Sequence, residues 1–236
     1  MSANAFYEFW IKRNDAGHRY TTEEWLKKNA EEILCLFPVR GTLVDVGCGN
    51  AQLLSYWADH FDRTFGIDFS PTMLEAAQKR IDGLKITEVK FFESDACHFP
   101  KEIESANLII GYQVAQNLSK QDIRKYLREC KRILHRNGMV GICSIPWRNL
   151  KQIREVGGLG HSPLTLWKMT FKYFIRTPRR SYQRFRYGVM ANGIGFWYSR
   201  HEIKRIAEAE GFDCEFVNSW YYEYRFHAIL RLKQQG

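Results

Sequence analysis

Short apolar runs alternate with polar, helix-compatible segments along most of the chain, and this order is typical of an α/β fold with a parallel sheet. The runs are four to eight residues long, a length that suits buried strands better than helices. The predicted strands comprise residues 43–46, 64–67, 89–92, 106–111, 139–145, 212–217 and 225–232. A helix is predicted over 199–210, and Gly211 ends it.

Residues that favour helix N-termini stand where two of the other helices are expected. Ser70 is a natural N-cap, and Pro71 is a natural first helical residue. Ser119 and Asp122 have the spacing of a capping box. The helix that they begin has a buried stripe at Ile123, Leu127, Cys130 and Leu134. Gly138 is predicted to end this helix, just before the fifth strand.

The turn after the first strand is the most informative feature of the sequence. Residues 43–51 read Leu-Val-Asp-Val-Gly-Cys-Gly-Asn-Ala, a strand that leads through glycines into a helix, as in many nucleotide-cofactor sites. A dinucleotide fold needs a third glycine at the sixth position of its motif, where this chain has Gln52. The sequence therefore excludes the dinucleotide fingerprint. Glycine-rich turns also occur for packing reasons alone, so the turn needs support from other motifs.

That support comes from acidic residues after the next two strands. The second strand ends in Asp68, about twenty residues beyond the turn, where doubly wound folds place an acid on ribose hydroxyls. The third strand leads into residues 93–100, in which Asp95 is followed by Ala96. A solvated turn acid is the alternative for Asp68, and His98 is interpreted as lining a pocket or facing solvent.

Three features together are informative: the glycine turn, these two acids and the segment 112–117 after the fourth strand. Through them, residues 30–147 resemble the class I S-adenosylmethionine (SAM) dependent methyltransferases. The resemblance implies a doubly wound, seven-stranded, mostly parallel sheet that closes with an antiparallel C-terminal hairpin. It also implies a helical N-terminal cover and a helical insert after the fifth strand. We therefore expect a single methyltransferase domain over residues 1–236, with the cover in 1–38 and the insert in 148–197.

The resemblance also implies which residues bind the cofactor SAM, whose product is S-adenosylhomocysteine (SAH). The turn meets the methionyl part, Asp68 meets the ribose, Asp95 accepts from the adenine amino group, and the Ala96 main chain meets the ring nitrogens. The predicted cofactor-binding residues are Asp45, Gly47, Cys48, Gly49, Asp68, Phe69, Asp95, Ala96, Gln113, Arg19 and Tyr20. Among Arg13, Arg19 and Tyr20 of the cover, the sequence does not choose the group that binds the methionine carboxylate.

Thr22 and Glu24 indicate that a helix of the cover starts nearby. Its apolar contacts are expected from Trp25, Ile33, Leu34 and Leu36.

The charge of the chain is concentrated in the predicted insert. Residues 148–186 contain ten basic residues and one acid, Glu155, and this excess equals the whole net charge of +9. The basic residues are Arg148, Lys151, Arg154, Lys168, Lys172, Arg176, Arg179, Arg180, Arg184 and Arg186. Members of the family that the chain resembles build acceptor-binding elements at this place. The positive charge of the insert therefore predicts an anionic partner.

Residues 163–186 have the pattern of an amphipathic basic helix. The apolar positions Leu164, Trp167, Phe171, Phe174 and Ile175 recur at helical spacing, and Lys168, Lys172 and Arg176 lie on another side. Three interpretations remain open: a packed helix with a solvated basic face, a peripheral membrane or lipid contact, and binding of an anionic soluble acceptor. RNA is disfavoured because nothing resembles a separate RNA-binding fold.

Methyl transfer from a sulfonium requires alignment and desolvation and, for a hydroxyl acceptor, a base. His161, at the glycine-rich entry to the insert, and Tyr112, after the fourth strand, are the predicted catalytic residues. An exposed or structural role is the alternative for His161. We predict methyl transfer to an oxygen or nitrogen of a small-molecule or lipid-like, anionic acceptor. The alternatives are an RNA (tRNA) methyltransferase and a non-catalytic SAM-binding or partner-binding protein.

Composition sets limits on these predictions. A chain of 236 residues with 45% hydrophobic content suits one domain with a full core. None of its six cysteines forms a C-x-x-C pair, so neither a metal site nor a disulfide framework is indicated. The chain has no apolar run long enough to span a bilayer and no signal-peptide pattern at its start, so we expect a cytoplasmic protein, with peripheral contact at the membrane surface as an option.

Overall fold

The structure is a computed structural model that describes residues 22–150 and 195–234. In this part of the chain, seven strands form one sheet in the order β3-β2-β1-β4-β5-β7-β6. The strands are β1 (Thr42–Val46), β2 (Arg63–Asp68), β3 (Val89–Glu93), β4 (Ala106–Tyr112), β5 (Leu134–Pro146), β6 (Phe212–Asn218) and β7 (Arg225–Leu232). The helices are α1 (Glu23–Leu36), α2 (Leu54–Trp57), α3 (Pro71–Leu84), α4 (Lys120–Ile133) and α5 (Arg200–Ala209).

The predicted topology is confirmed. The first five strands pair in parallel, and β7 pairs antiparallel with both β5 and β6. The strand order reverses between β1 and β4, which is the switch point where doubly wound sheets bind ligands at the carboxyl ends of their strands. Because β7 runs the other way, its first residues lie at this same end of the sheet.

Helices cover both faces of the sheet, and the alternation of side chains along each strand decides which helix they meet. On one face Leu108 and Ile110 pack with Ile33 and Phe37 from α1 and its end. Ile109, between them in sequence, belongs to the core on the other face. That second core also contains the predicted stripe of α4 and residues of α5, namely Ile123, Leu127, Cys130, Ile203, Ile206 and Ala207.

The helix starts predicted from capping residues are confirmed. Thr22, Ser70 and Ser119 are the N-caps of α1, α3 and α4, and the Ser119–Asp122 capping box is formed in both directions. The start predicted at Ser199 is a second capping box, with Glu202 as its partner. These starts depend on contacts within four residues, which explains why the sequence alone locates them.

The end predicted for α4 at Gly138 is wrong. The helix ends at Ile133, because Leu134 adopts an extended conformation and pairs with Ala106 as the first residue of β5. Gly138 therefore lies inside the strand. A side chain there would approach the Asn107 carbonyl oxygen to 2.9 Å, so the glycine allows close packing of β5 on β4.

The two ends of the predicted insert lie side by side at the end of β5. Trp147 forms a parallel bridge with Tyr198, and the Arg148 N–H donates to the Tyr198 carbonyl at 2.9 Å. Arg148 also donates from Nη1 to the Glu202 carboxylate at 2.8 Å and from Nη2 to the Trp197 carbonyl at 2.9 Å. One of the ten basic residues is therefore used to close the base of the insert. Residues 151–194, like residues 1–21 of the predicted cover, lie outside the described residues.

Candidate active site

The glycine turn stands at the switch point of the sheet. The N–H groups of Gly47 and Cys48 both donate to the Ile67 carbonyl, at 2.7 and 3.1 Å, which fixes the turn against the end of β2. Gly47 and Gly49 have φ angles of +72° and +54°, a backbone region that disfavours side chains. A Cβ on Gly47 would lie 2.7 Å from Val114 Cγ2, whereas one on Gly49 would meet nothing within 4 Å. Gly49 therefore presents bare backbone to open space.

Asp68 connects the turn to the start of α3. Its Oδ2 accepts a hydrogen bond from the Gly49 N–H and its Oδ1 accepts one from the Ser70 N–H, both at 2.9 Å. Burial raises the pKa of Asp68, and these backbone amides act against that rise. A carboxylate has about four acceptor positions, so hydrogen bonds to the backbone leave room for the ribose hydroxyls that the sequence predicts as its partners.

Asp45 is a second buried acid under the same turn. It lies in β1, opposite Gly66 of β2 and Ile110 of β4, and is 4% exposed. Desolvation raises its pKa well above the ordinary value, and the nearby charge of Asp68 adds to that rise. Burial likewise raises the pKa of the Cys48 thiol. A cysteine held as the neutral thiol is a weak nucleophile, so Cys48 can only take part through packing and its main chain.

The turn after β3 carries the predicted adenine site. Asp95 is exposed, and its Oδ1 accepts a hydrogen bond from the Cys97 N–H at 2.6 Å. The Ser94 N–H donates to the Asp68 carbonyl at 3.0 Å, which holds this turn beside the end of β2. His98 is exposed, one of the two places that the sequence allowed for it. The turn therefore places the exposed Asp95 beside Asp68, the acid predicted to bind the ribose.

Tyr112 is the last residue of β4, and Gln113 follows it beside the glycine turn. The Tyr112 hydroxyl donates to Asn29 Oδ1 of α1 at 2.7 Å, and burial raises its pKa. The raised pKa favours the protonated hydroxyl, which can donate a hydrogen bond. Gln113 has a φ of +59°, a strained conformation of the kind found at functional sites. Its N–H donates to the Cys143 carbonyl at 2.9 Å, which fixes that conformation.

The structure also contains a buried polar group that sequence reasoning missed. It lies between α1, the end of β5 and the start of β7, next to Tyr112. Its members are Glu32, Ser144, Arg225 and His227, which are all buried, together with Gln116. A signal was present in the sequence, because Arg225 and His227 occupy alternate positions at the start of a strand that continues with the apolar residues 228–230.

Three predicted site residues, His161, Arg19 and Tyr20, lie outside the described residues. In the part that is described, no group of three or more His, Cys, Asp or Glu side chains could hold a metal ion. All six cysteines are free. Every helix described is too short or too polar to cross a bilayer.

A doubly wound sheet with an antiparallel hairpin and an open glycine turn at its switch point is the fold of the class I SAM-dependent methyltransferases, and this chain has that fold. SAM is the cofactor of the class. Residues 43–138 match the family described as Methyltransferase domain. That range contains β1 from its second residue, β2 to β4 and every described residue predicted to bind the cofactor.

Known proteins resemble the chain to different extents. A demethylmenaquinone methyltransferase from Thermotoga maritima is 34% identical over 134 residues, which are 55% of this chain and 53% of that protein. The chain thus matches about half the length of this relative. A SAM-dependent methyltransferase from Aquifex aeolicus has a TM-score of 0.60 at 19% identity, with 93% of this chain and 95% of the other covered.

The structure of a DhpI–SAH complex has a TM-score of 0.65 at 12% identity, with 98% of this chain and 95% of the other covered. At such identities, the two structural likenesses show the fold alone.

Proposed function

We propose that this chain transfers the methyl group of SAM to an oxygen or nitrogen atom of a small-molecule or lipid-like, anionic acceptor. The observation that carries the proposal is the open space beside Gly49. A side chain on this residue would enter open space at the switch point, while its N–H is held by Asp68. Bare backbone at Gly49, the buried acid Asp68 and the Asp95 turn lie together, and this combination supports SAM binding at the turn.

The acceptor side is proposed from the elements around Tyr112 and Gln116. The Gln116 carbonyl accepts a hydrogen bond from the Phe196 N–H at 2.8 Å, where the chain returns from the insert. A cationic insert that starts and returns here supports an anionic acceptor, because a concentration of one charge attracts the opposite charge. The relative from Thermotoga maritima is named for demethylmenaquinone, which supports a small or lipid-like acceptor over RNA.

The test follows a labelled methyl group from SAM into fractions of a cell lysate incubated with the full chain. We expect SAH to form and the label to enter the small-molecule or lipid extract. Asp68→Asn should lose this transfer, whereas Asp62→Asn, at an exposed acid near the start of β2, should retain it. Label in tRNA would instead support the RNA alternative. SAM binding without SAH formation would support the non-catalytic alternative.

A membrane role of residues 163–186 is tested separately, with anionic liposomes. Changing Lys168, Lys172 and Arg176 together to Gln should weaken liposome binding by up to about 3 kcal/mol, at roughly 1 kcal/mol per cation near an anionic surface. The matched control changes three exposed lysines outside the insert, Lys79, Lys90 and Lys101, to Gln. Equal binding by both triple variants would leave the insert as a packed element with a solvated basic face.

A further inference from the structure

Arg225 is a buried cation at the end of the sheet that holds the candidate site. It is the first residue of β7 and pairs with Pro146 near the end of β5. The side chain is only 5% exposed. A buried guanidinium is costly unless an anion compensates its charge, and arginine keeps its proton under ordinary conditions.

The hydrogen bonds of Arg225 go to neutral groups, and the Tyr224 side chain is one of its partners. Nη1 donates to the main-chain carbonyl of Ser144 and, at 3.4 Å, to its hydroxyl, and Nη2 donates to Gln116 Oε1 at 3.0 Å. The rings of Tyr222 and Tyr224 flank the guanidinium at 5.6 and 5.5 Å from its carbon. Within residues 22–150 and 195–234, none of the ion pairs includes Arg225.

One hydrogen-bonding atom of the guanidinium remains unused. Nε of Arg225 is buried and has no partner among the described residues. Its neighbours belong to the acceptor side of the site, since Gln116 follows β4 and the Tyr112 hydroxyl interacts with the same Ser144 side chain. The buried carboxylate of the same polar group, Glu32, is engaged by His227 and the Trp220 N–H. Among the described residues, Arg225 therefore combines a charge without an ion pair with an unpartnered donor.

We propose that Arg225 determines acceptor specificity by binding a single carboxylate of the acceptor; this rests on the proposed function. One positive charge matches a monoanion, whereas a phosphate dianion would leave a buried negative charge uncompensated. The planar guanidinium can offer Nε–H and the second hydrogen of Nη2 to the two carboxylate oxygens.

The experiment uses the SAH-bound full chain and two probes of one shape, 4-hydroxybenzoate and its neutral analogue 4-hydroxybenzamide. Binding is followed by the NMR signals of arginine Nε–H groups, and the Arg225 signal is assigned by its loss in Arg225→Lys. We expect 4-hydroxybenzoate to shift this signal and the benzamide to leave it unchanged. We expect Arg225→Gln to weaken binding of the carboxylate at least tenfold.

The matched control is Arg231→Gln, because Arg231 is an exposed arginine on the same strand, paired with Glu215. This variant should bind 4-hydroxybenzoate like the unchanged chain. If 4-hydroxybenzoate does not shift the Arg225 signal of the unchanged protein, the proposal is overturned. This measurement does not depend on whether Arg225→Gln folds. SAH affinity is measured alongside, so absence of cofactor binding would count against the proposed function instead.

Discussion

The Nε2 atom of His227 lies 3.2 Å from Oε1 of Glu32, and this contact joins the last strand to helix α1 in the fully buried interior. The same Glu32 oxygen accepts a hydrogen bond from the Trp220 N–H at 2.6 Å, and His227 Nδ1 accepts one from the Ser144 N–H at 3.3 Å. Because Nδ1 accepts, the ring proton lies on Nε2 and is donated to Glu32. Through the hydrogen bond with the Ser144 N–H, the pair holds the residue whose carbonyl binds Arg225.

Replacing Glu32 with Ala should destabilise the fold. The Trp220 N–H and the His227 Nε2–H would lose their acceptor, and leaving buried donors unpaired costs about 1–3 kcal/mol. For a chain of this size, the melting temperature should fall by roughly 2–4 °C per kcal/mol. Thermal unfolding followed by circular dichroism measures this change. Glu31→Ala, at the exposed neighbouring position, is the control, and equal melting temperatures for the two variants would contradict the role of Glu32.

Asp68→Asn should weaken SAM binding more than it weakens the fold. The change removes the carboxylate charge from the hydrogen bond with the Gly49 N–H and from the one proposed with the ribose, worth about 1.5–3 kcal/mol, so the dissociation constant should rise at least tenfold. Isothermal titration calorimetry with SAH measures it. Asp62→Asn serves as the control, and an unchanged SAH affinity in Asp68→Asn would remove Asp68 from the site.

The two glycines of the turn should respond differently to Ala. Both positions have positive φ, which costs a side chain about 1–2 kcal/mol. At Gly47 the new methyl group would also collide with Val114, so Gly47→Ala should lower the melting temperature further than Gly49→Ala does. Gly49→Ala should instead reduce SAH affinity, since its methyl group enters the open space. Thermal unfolding and calorimetry on both variants separate these effects, and normal SAH binding by Gly49→Ala would place the cofactor elsewhere.

Features set by neighbours in sequence were predictable, and the capped starts of α3, α4 and α5 are examples. The glycine turn and Asp68 were also found, because their spacing follows from one strand–turn–helix unit. The end of α4 was missed because Gly138 looks like a helix-ending glycine in the sequence. In the structure this glycine lies in β5, where it allows close packing on Asn107 of β4. Local patterns cannot report such a requirement.

The buried polar group was missed for a related reason. Glu32 and His227 are 195 positions apart, and only the finished sheet brings them together. In the sequence, Glu32 looks like one of several charged residues on an amphipathic helix, yet it is fully buried. The sequence predicts acids near the cofactor from the ends of strands, but the partners of Glu32 and His227 depend on long-range packing.

Asp45 and Asp68 should make SAM binding dependent on pH. The pKa of Asp45 is raised in the native state by desolvation and by the Asp68 charge. The native chain therefore binds more protons than the unfolded chain, and its stability without SAM falls as the pH rises from the ordinary pKa of 3.8 towards the raised value. Asp45→Asn should remove this part of the pH dependence and raise the melting temperature above that pH range.

SAM carries a cationic sulfonium and an ammonium group, which favour the ionised carboxylate of Asp45. SAM binding should accordingly release protons within the range of the raised pKa. Calorimetric titrations in phosphate and in Tris measure this release, because the two buffers differ in ionisation enthalpy. We expect the apparent binding enthalpy to differ between the buffers for the unchanged chain and for Asp62→Asn, and to differ less for Asp45→Asn. Identical enthalpies in both buffers for the unchanged chain across that pH range would show that the charge of Asp45 is not linked to the cofactor.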